Sequence, residues 1–171
     1  MTLPENQTPH LSITDIPGIK VGHYTDLDSI TGCTAVLCEA GAVGGVDVRG
    51  GAPGSRETDV LDPMTSVPLI HGVVLSGGSA FGLQSIDGAI QYLKTRGVGH
   101  QAGNSLIPIV AGSILFDLSI GLDKFPNLES GYEACLAANN KHIQEGTVGA
   151  GTGATVAKLM GMERAIKGGI G

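Results

Sequence analysis

The amino-acid sequence predicts a single domain of the mixed α/β class. Its 171 residues are 42% hydrophobic and 15% charged, a mixture typical of a globular chain that can bury a core. Short apolar runs, rich in β-branched or small residues and bounded by glycine, indicate strands. Two other segments repeat apolar residues at intervals of three or four, which indicates amphipathic helices. The chain therefore combines strands with helices, and it shows no internal repeat or linker.

Strand patterns are concentrated in the first half of the chain. A polar lead-in occupies residues 1–12, and the turn signal Pro17-Gly18 precedes the first strand. The next two runs are bounded by glycine, and the fourth is a short apolar run typical of a buried strand. A loop is predicted over residues 49–68 because turn and breaker residues are frequent there. The predicted strands are residues 19–24, 34–38, 43–48 and 71–75.

The strongest helix pattern follows the fourth strand. Ser79 is a candidate N-cap, and Gly97 is a candidate C′ residue that ends the helix. Between them, apolar residues recur at spacings of three, four and three, which places them on one helical face. The residues of this face are Leu83, Ile86, Ile90 and Leu93.

A second helix is predicted over residues 128–144. Asn127 is its candidate N-cap and Gly146 its candidate stop. Residues 107–120 are apolar but interrupted by polar residues and glycine, which favours strand and loop over helix. A short helix is predicted over residues 154–164. The apolar face of the second helix consists of Leu128, Tyr132, Cys135, Leu136 and Ile143.

Composition and charge argue against several classes of function. The formal net charge of −6 disfavours nucleic-acid binding, which needs clustered Lys and Arg. The first residues lack the features of an export signal, and the longest apolar stretch, residues 106–122, is too short and polar to span a bilayer. Three cysteines and five scattered histidines show no zinc spacing. These features predict a reduced, cytoplasmic chain.

The corner between the fourth strand and the first helix is the first candidate site. A helix N-terminus exposes N–H groups and positive partial charge, and Gly77 and Gly78 would let a ligand approach it. With Ser79, such a corner can bind a carboxylate or stabilise an oxyanion. The alternative is a tight turn whose glycines only allow helix and sheet to pack closely. Local sequence alone favours that alternative, because short glycine motifs recur widely.

Two further glycine-rich segments are candidates. Residues 49–59 carry two arginines and two acids in one loop. They indicate either a functional loop or charges that pair with one another to hold the loop or a subunit contact. Residues 149–154 fit the G-x-G-x-x-A fingerprint of dinucleotide-binding proteins, but no strand ending in an acid follows at the required distance. Close backbone packing is therefore the better interpretation of that segment.

Residue chemistry alone identifies no nucleophile. The sequence has no G-x-S-x-G elbow, and Cys33 and Cys38 are interpreted as small buried residues. Lys124 and Lys167 lie next to breaks in the predicted structure, where a lone lysine is usually a solvated surface charge. The residues taken by themselves thus predict a scaffold for a site.

Several segments resemble the P1 family of DmpA-type peptidases. The similarity follows the family's order from residue 13 onwards and is most specific in RGGAPGSRETD at residues 49–59 and GGSAFGL at residues 77–83. It continues through IPIVAGSILFDL, GTVGAGTGATVAKLMG and the terminal KGGIG. Residues 13–171 are accordingly interpreted as the N-terminal, larger-chain part of one DmpA-like hydrolase domain.

The resemblance implies a fold, an activity and a mechanism. The fold is a layered α/β/β/α sandwich, incomplete in this chain. Family members cleave themselves into a larger and a smaller chain, which frees a Ser or Thr as N-terminal nucleophile. The α-amino group of that residue, with a reference pKa of roughly 7.7–8.0, can serve as its base. The members are aminopeptidases or amidases, including some that act on β- or D-amino-acid peptides or on nylon oligomers.

The resemblance also implies site residues and partners. Gly77, Gly78, Ser79 and Phe81 are expected in the substrate pocket, and Phe81 lies where some members have a tyrosine. Lys167 matches a lysine near the nucleophile of the nylon-oligomer-cleaving members, where a cation favours a neutral amine and stabilises an oxyanion. The implied partners are a small peptide or amide substrate, the smaller chain, and further copies in a homo-oligomer. No metal or other cofactor is expected.

The end of the sequence departs from the family pattern. In the family, KGGIG is followed by further strands and then by the nucleophile, so we expect the nucleophile on a segment beyond Gly171. One alternative is an inactive, truncated fragment that acts only as a binding or assembly module. Another is a nucleotide-binding protein that uses residues 149–154.

Overall fold

The computed structural model describes residues 11–141 and 143–171, so His10, His142 and most of the predicted lead-in lie outside the described residues. Its two α-helices are α1 (Gln84–Thr95) and α2 (Leu128–Ala137). The strands are β1 (Lys20–Asp26), β2 (Thr31–Ala42), β3 (Ser55–Arg56), β4 (Ile70–Ser76), β5 (His100–Ala102), β6 (Ser105–Ile107), β7 (Val110–Ile114), β8 (Thr155–Val156) and β9 (Ile166–Lys167).

Five of these strands form one sheet in the order β1-β2-β4-β7-β3. Its neighbouring strands are antiparallel, except for the parallel pair β4–β7. The helix α1 lies in the connection between these two parallel strands, as parallel pairing requires a crossover. Both helices pack on the same face of the sheet. The mixed α/β class predicted from the sequence is confirmed.

Three of the four predicted strands are confirmed as β1, β2 and β4. The strand β2 begins earlier than predicted, because Thr31 and Gly32 pair with Asp26 and Thr25 of β1. Glycine has a low intrinsic preference for strands, but pairing in the sheet outweighs that local preference at Gly32.

The strand predicted over residues 43–48 is wrong. These residues have no regular structure, and Val43 is 84% exposed. The pairing of β2 with β4 ends where Ala42 meets Ile70, the first residue of β4. Beyond Ala42, no strand among the described residues pairs with residues 43–48. This segment therefore gains neither ladder hydrogen bonds nor burial from a neighbouring strand. β-branched composition alone is therefore not enough to form a strand here.

The helix α1 starts later than predicted and ends where predicted. A 3₁₀ turn, Ser79–Leu83, precedes it, and Ser79 is therefore not its N-cap. At the other end Gly97 has a φ of +67°, and the N–H of Val98 donates to the carbonyl oxygen of Leu93 at 3.0 Å. This is the Schellman geometry that a C′ glycine allows.

The helix α2 starts as predicted but is shorter. The side chain of Asn127 accepts a hydrogen bond from the Ser130 N–H at 3.0 Å, and the Ser130 hydroxyl accepts one from the Asn127 N–H at 3.2 Å. This reciprocal capping box fixes the start. The helix ends well before Gly146, because Asn139 exchanges two backbone hydrogen bonds of 3.0 Å with Val21 of β1. That bridge requires extended backbone.

Small residues bring the helices close to each other and to the sheet. A Cβ atom at Gly88 of α1 or at Gly131 of α2 would overlap the backbone of the other helix, and Gly22 of β1 lies equally close to α2. The buried side of α2 is thus made of small residues, and Leu136, predicted on its apolar face, is 62% exposed. The core cluster consists of Cys33, Ala35, Leu37, Val74, Ile86, Ala89, Leu93, Val110, Ala134 and Cys135.

The opposite face of the sheet is only partly covered. Because side chains alternate along a strand, Thr34 and Val36 of β2 point away from the helices. His23 of β1 and Leu75 of β4 lie beside Thr34 in the ladder. A 3₁₀ turn, Gly149–Gly151, covers one end of this face, and Val36 and Leu75 remain half-buried.

The helix predicted over residues 154–164 is wrong. These residues contain β8 and two short 3₁₀ turns, Lys158–Met160 and Met162–Arg164. Pairing of Thr155 with Lys167 of β9 holds the backbone extended, and Gly161 has a φ of +105° between the two turns. Both features are incompatible with a continuous helix.

Candidate functional site

The corner between β4 and α1 is a turn in which the N–H groups of the first three residues are already bonded. The N–H groups of Gly77 and Ser79 donate to neighbouring backbone oxygens at 2.9 and 3.0 Å. The N–H of Gly78 donates to Oδ1 of Asp117 at 2.6 Å. Gly78 and Ser79 both adopt positive φ values, +82° and +52°, which are unfavourable for a residue with a Cβ atom such as Ser79. The surrounding hydrogen bonds hold this strained geometry in place.

Asp117 is the buried acid at the centre of the corner. Only 4% of the residue is exposed, and its Oδ2 accepts the hydroxyl of Thr31 at 2.7 Å. A Cβ atom at Gly77 would overlap Oδ2 of Asp117 and Oγ1 of Thr31, so glycine is required at that position. The N–H of Gly78 in the corner therefore binds a carboxylate of the chain itself.

Phe81 forms the outer wall of the same corner. Its ring stacks on that of Phe125 with 4.6 Å between the centroids and 19° between the planes. Phe81 is nevertheless 53% exposed, and the backbone of Gly78 packs against Phe125. The two rings form an apolar platform at the surface, next to the buried carboxylate. A phenyl ring there offers shape and stacking without a hydroxyl.

The glycine-rich segment 149–154 is a buried turn that is bonded to the open face of the sheet. The N–H of Gly149 donates to the hydroxyl oxygen of Thr25 at 2.9 Å, and that of Ala150 donates to Thr34 at 3.1 Å. The next two N–H groups bond within the turn, at 2.8 and 3.0 Å. A phosphate-binding loop presents its backbone N–H groups to a ligand, whereas these four N–H groups donate to acceptors within the chain. The geometry is that of close backbone packing.

His23 completes this polar contact. Its Nδ1 lies 2.9 Å from Oγ1 of Thr34, and its Nε2 lies 3.1 Å from the carbonyl oxygen of Gln144. Burial lowers the pKa of His23, which favours the neutral ring. In the neutral ring Nε2–H donates to the carbonyl, and Nδ1 accepts from the Thr34 hydroxyl, which in turn accepts from Ala150. One threonine thus links β1, β2 and the turn.

Lys167 is bound to the other side of the same turn. Its Nζ donates to the carbonyl oxygens of Gly151 at 2.6 Å, Ala154 at 3.1 Å and Gly168 at 2.9 Å. An ammonium group has three N–H donors, so these carbonyls use all of them. Burial lowers the pKa of Lys167 from its ordinary value. Because all three N–H donors are bonded to carbonyls, the ammonium group can affect other groups mainly through its positive charge.

A cavity of about 160 Å³ lies beside the turn. Its wall includes Ser76 at the end of β4, Leu115 directly after β7, Gly151 of the turn, and Gly169 and Ile170. Gly151 is also a hydrogen-bond partner of Lys167. The cavity is thus lined by residues adjacent to both groups of predicted site residues.

The structure connects these two groups at Asp117. The first group is Gly77, Gly78, Ser79 and Phe81 at the corner, and the second is Lys167 of β9, which is bound to the turn. A Cβ atom at Gly153 would overlap the side chain of Asp117, so the turn lies directly against the acid that holds Gly78. The corner and the turn are neighbours, although they are far apart in sequence.

The charges of the loop over residues 49–59 do not pair with one another, contrary to that interpretation of the sequence. Arg56 forms an ion pair of 2.8 Å with Asp87 of α1, and Arg49 forms one of 2.7 Å with Asp47. Arg56 also belongs to β3, which pairs with the far edge of β7. The physical reason is that β3 carries Arg56 towards α1 and away from the other charges of the loop.

Other groups that could carry chemistry are less suited to it. Burial raises the pKa of the Cys33 thiol and raises that of Cys135 to about 12, so both thiols stay protonated and are poor nucleophiles. Among the described residues, no three His, Cys, Asp or Glu side chains are placed so that they could hold a metal ion. No helix in the same part of the chain has the length and apolar character needed to cross a membrane.

Sequence reasoning missed Asp117, Thr31 and the role of His23. Asp117 had one usable signal: it is a lone acid within the apolar residues 107–120, and a buried acid needs hydrogen-bond partners. Its partners come from two distant segments, which no local pattern reveals. Thr31 and His23 carry no signal of their own in the sequence.

Comparison with known proteins identifies relatives of the whole described region. A profile of peptidase family S58 matches residues 12–171. An uncharacterized aminopeptidase of Mycobacterium leprae is 45% identical over 169 residues, which cover 90% of this chain and 47% of the relative. The 6-aminohexanoate-oligomer endohydrolase of Paenarthrobacter ureafaciens is 29% identical over 148 residues, which cover 85% of this chain and 39% of that enzyme. The chain thus spans about half the length, or less, of the curated relatives it matches.

A solved structure supports the fold. The L-aminopeptidase D-Ala-esterase/amidase of Ochrobactrum anthropi, a variant of the Ntn hydrolase fold, superimposes with a TM-score of 0.68 at 20% sequence identity. The superposition covers 83% of this chain and 44% of that enzyme. At this level of identity the comparison establishes a shared fold, in agreement with the fold that the sequence resemblance implies.

Proposed function

The chain belongs to peptidase family S58, and from that membership we propose that the complete protein hydrolyses amide or peptide bonds of small substrates, as an aminopeptidase or amidase. The observation that carries the proposal is the family match over residues 12–171, together with the 45% identical aminopeptidase relative. The 29% identical oligomer endohydrolase supports the inclusion of amides other than ordinary peptides among the substrates.

The proposed nucleophile is a Ser or Thr on a segment that follows Gly171 and becomes an N-terminus by self-cleavage. Its hydroxyl oxygen attacks the carbonyl carbon of the amide, and its own α-amine takes up the hydroxyl proton. The resulting oxyanion collapses with release of the substrate's amine, which accepts that proton. Water then hydrolyses the ester and regenerates the nucleophile. This scheme needs an uncharged α-amine and a positive environment for the oxyanion.

Lys167 is proposed to provide that positive environment. Its three N–H donors are already bonded to backbone carbonyls, so it acts through its charge and does not have to donate a hydrogen bond to the substrate. A nearby cation lowers the pKa of an amine, because it disfavours the protonated form. The same charge stabilises the oxyanion. The Phe81 platform is proposed as an apolar wall for the substrate.

The first experiment tests the activity itself. The complete protein is purified, its chain masses are measured, and it is assayed with aminoacyl-p-nitroanilides and with 6-aminohexanoate oligomers. We expect two chains, the smaller of which begins with Ser or Thr, and release of p-nitroaniline or of shorter oligomers. A single uncleaved chain that turns over none of these substrates would overturn the proposal.

The second experiment tests Lys167 through the pH profile of kcat/KM. Replacing Lys167 by Met removes the cation, so the pKa of the catalytic amine should rise and the acidic limb of the profile should move to higher pH. We expect kcat to fall by a factor of about 100, the effect of losing one electrostatic stabiliser. Lys124→Met is the matched control, since Lys124 is an exposed lysine, and it should change neither quantity. An unshifted profile in Lys167→Met would remove Lys167 from the mechanism.

The alternative function is that of an inactive fragment that acts only as a binding or assembly module. It is favoured by one observation, the partly uncovered sheet face around Val36 and Leu75. This alternative predicts no turnover, together with stable association with an intact relative in size-exclusion chromatography. A nucleotide-binding role for residues 149–154 has less support, because the N–H groups of that turn are bonded internally. A thermal shift on addition of NAD or ATP would support a nucleotide-binding role.

A further inference from the structure

Asp117 is a buried acid that has no role in the mechanism proposed above. Its two oxygens point to different partners, Oδ1 to the N–H of Gly78 at 2.6 Å and Oδ2 to the hydroxyl of Thr31 at 2.7 Å. The residue is 4% exposed, so these bonds replace water that the carboxylate lost on folding. A buried acid is costly unless its oxygens are bonded, and apolar side chains would serve a purely packing role at lower cost. Its presence therefore indicates a specific requirement.

The contacts of Asp117 suggest what that requirement is. Glycine is needed at two positions around the carboxylate, because a Cβ atom at either Gly77 or Gly153 would overlap it. Gly77 belongs to the corner that carries Phe81, and Gly153 belongs to the turn that binds Lys167. The carboxylate is thus enclosed between the two segments of the candidate site. The carbonyls that hold Lys167 come from Gly151 and Ala154, on either side of Gly153.

We propose that Asp117 is a positioning residue that holds the Gly77–Phe81 corner and the turn that binds Lys167 at a fixed separation during amide hydrolysis. The proposal rests on the proposed function, because it assigns Asp117 a role in that reaction. The physical reason is geometric: a displacement of about 1 Å between groups that bind substrate and groups that stabilise charge costs about 100-fold in rate. A carboxylate suits the task because one acceptor oxygen bonds the corner at Gly78 and the other bonds Thr31 of β2, while the turn packs against the same side chain at Gly153.

Two substitutions of Asp117 separate this role from simple packing. In Asp117→Asn the amide oxygen can still accept from Gly78, and the NH₂ group can donate to the hydroxyl oxygen of Thr31. In Asp117→Ala both bonds are lost and a space remains. Asp87→Asn is the matched control: it removes an exposed carboxylate, the ion-pair partner of Arg56, from the helix that follows the same corner.

The structural arm of the experiment is hydrogen–deuterium exchange measured by mass spectrometry on the complete protein. In Asp117→Ala we expect faster exchange in peptides that cover residues 77–83 and also in peptides that cover residues 149–155. Asp117→Asn should exchange more slowly than Asp117→Ala in both segments, and Asp87→Asn should match the unmodified protein there. Faster exchange in the corner alone would overturn the proposal, because Asp117 would then not connect the two segments.

The kinetic arm measures kcat per active site, with the sites counted by titration with a covalent inhibitor of the nucleophile. We expect kcat per site to fall about 100-fold in Asp117→Ala and about 10-fold in Asp117→Asn, in line with misplacement of the reacting groups. The KM should change much less. If Asp117 only supports folding, the number of titratable sites falls while kcat per site stays constant, and that result would overturn the proposal.

The two arms also distinguish failure of this proposal from failure of the proposed function. If the unmodified complete protein hydrolyses no amide, the proposed function fails, and Asp117 has no reaction to support. The exchange data then show only whether Asp117 connects the two segments. If the unmodified protein is active but kcat per site is unaffected in Asp117→Ala, the function stands and the role of Asp117 is rejected.

Discussion

The two faces of the central sheet are built on different principles. The face under the helices is dry and apolar, with Cys33, Ala35 and Leu37 of β2 fully buried, and it is closed by glycines that let backbones touch. The opposite face carries Thr34 and Val36 of the same strand. It is held to the glycine turn by hydrogen bonds, and part of it remains half-buried.

This difference separates two kinds of stabilising interaction in the molecule. Apolar contact is non-directional and strong in sum, so the helix face can stabilise the fold without any particular chemistry. Hydrogen bonds are directional and individually modest, so the opposite face can position groups such as Lys167. The candidate site lies where the second kind of interaction dominates.

Leu37 on the helix face should be the most costly position to truncate. It is 0% exposed, and Leu37→Ala should lower the free energy of unfolding by about 3 kcal/mol through lost burial and a remaining cavity. Val36→Ala, one residue away on the other face, should cost about 1 kcal/mol or less. Urea unfolding measures both. Leu136→Ala on α2 is the matched control, since the same atoms are removed from a residue that is 62% exposed. A cost for Val36→Ala equal to that for Leu37→Ala would refute the contrast.

Thr34 should be the most costly position on the opposite face. Thr34→Val keeps the shape of the side chain but leaves the buried N–H of Ala150 without its acceptor, at a cost of about 2 kcal/mol. Thr25→Val removes the acceptor of the Gly149 N–H at an exposed side chain, where water can replace it, so the cost should be clearly smaller. Thermal unfolding of both variants gives the comparison. Equal costs would mean that burial does not matter for these bonds.

Acidification should lower the free energy of unfolding because His23, on the opposite face, becomes protonated more readily in the unfolded chain. Because burial lowers the pKa of His23, the unfolded chain binds a proton at this residue at a higher pH than the folded chain does. The unfolded state is then favoured as the pH falls below about 6.5, and stability decreases on acidification. His23→Gln should reduce this pH dependence in urea unfolding between pH 7.5 and pH 5, values about one unit or more either side of the histidine reference. Part of it should remain, because burial also lowers the pKa of His71. An unchanged pH dependence in the variant would exclude His23 as its source.

The ion pair between Arg56 and Asp87 should contribute least. Its side chains are 35% and 43% exposed, so water screens much of the attraction across the 2.8 Å contact. A double-mutant cycle with Arg56→Gln and Asp87→Asn should give a coupling energy of about 0.5 kcal/mol, smaller still at high salt. A coupling energy above about 2 kcal/mol would indicate a pair far stronger than exposed pairs usually are.

Local sequence patterns predicted elements well where neighbouring residues decide the structure. The end of α1 at Gly97 and the start of α2 at Asn127 follow from caps that involve only a few adjacent residues. Patterns failed where a distant segment decides. Residues 43–48 have strand composition but no neighbouring strand, and α2 stops early because Asn139 bonds to Val21. Whether a partner is present cannot be read from composition or periodicity.

The mixed α/β class, the family and the two segments of the candidate site could be inferred from the amino-acid sequence. Blocks such as GGSAFGL are specific in composition and order, and they need no structure to be recognised. How these segments meet is visible in the folded chain alone. The tertiary structure places Asp117 between Gly77 and Gly153, and it binds Lys167 to three carbonyls of a turn and its neighbour. The physical reason is that hydrogen bonds and close contacts between residues far apart in sequence depend on the folding of the whole chain, whereas motifs and caps depend on residues that are adjacent.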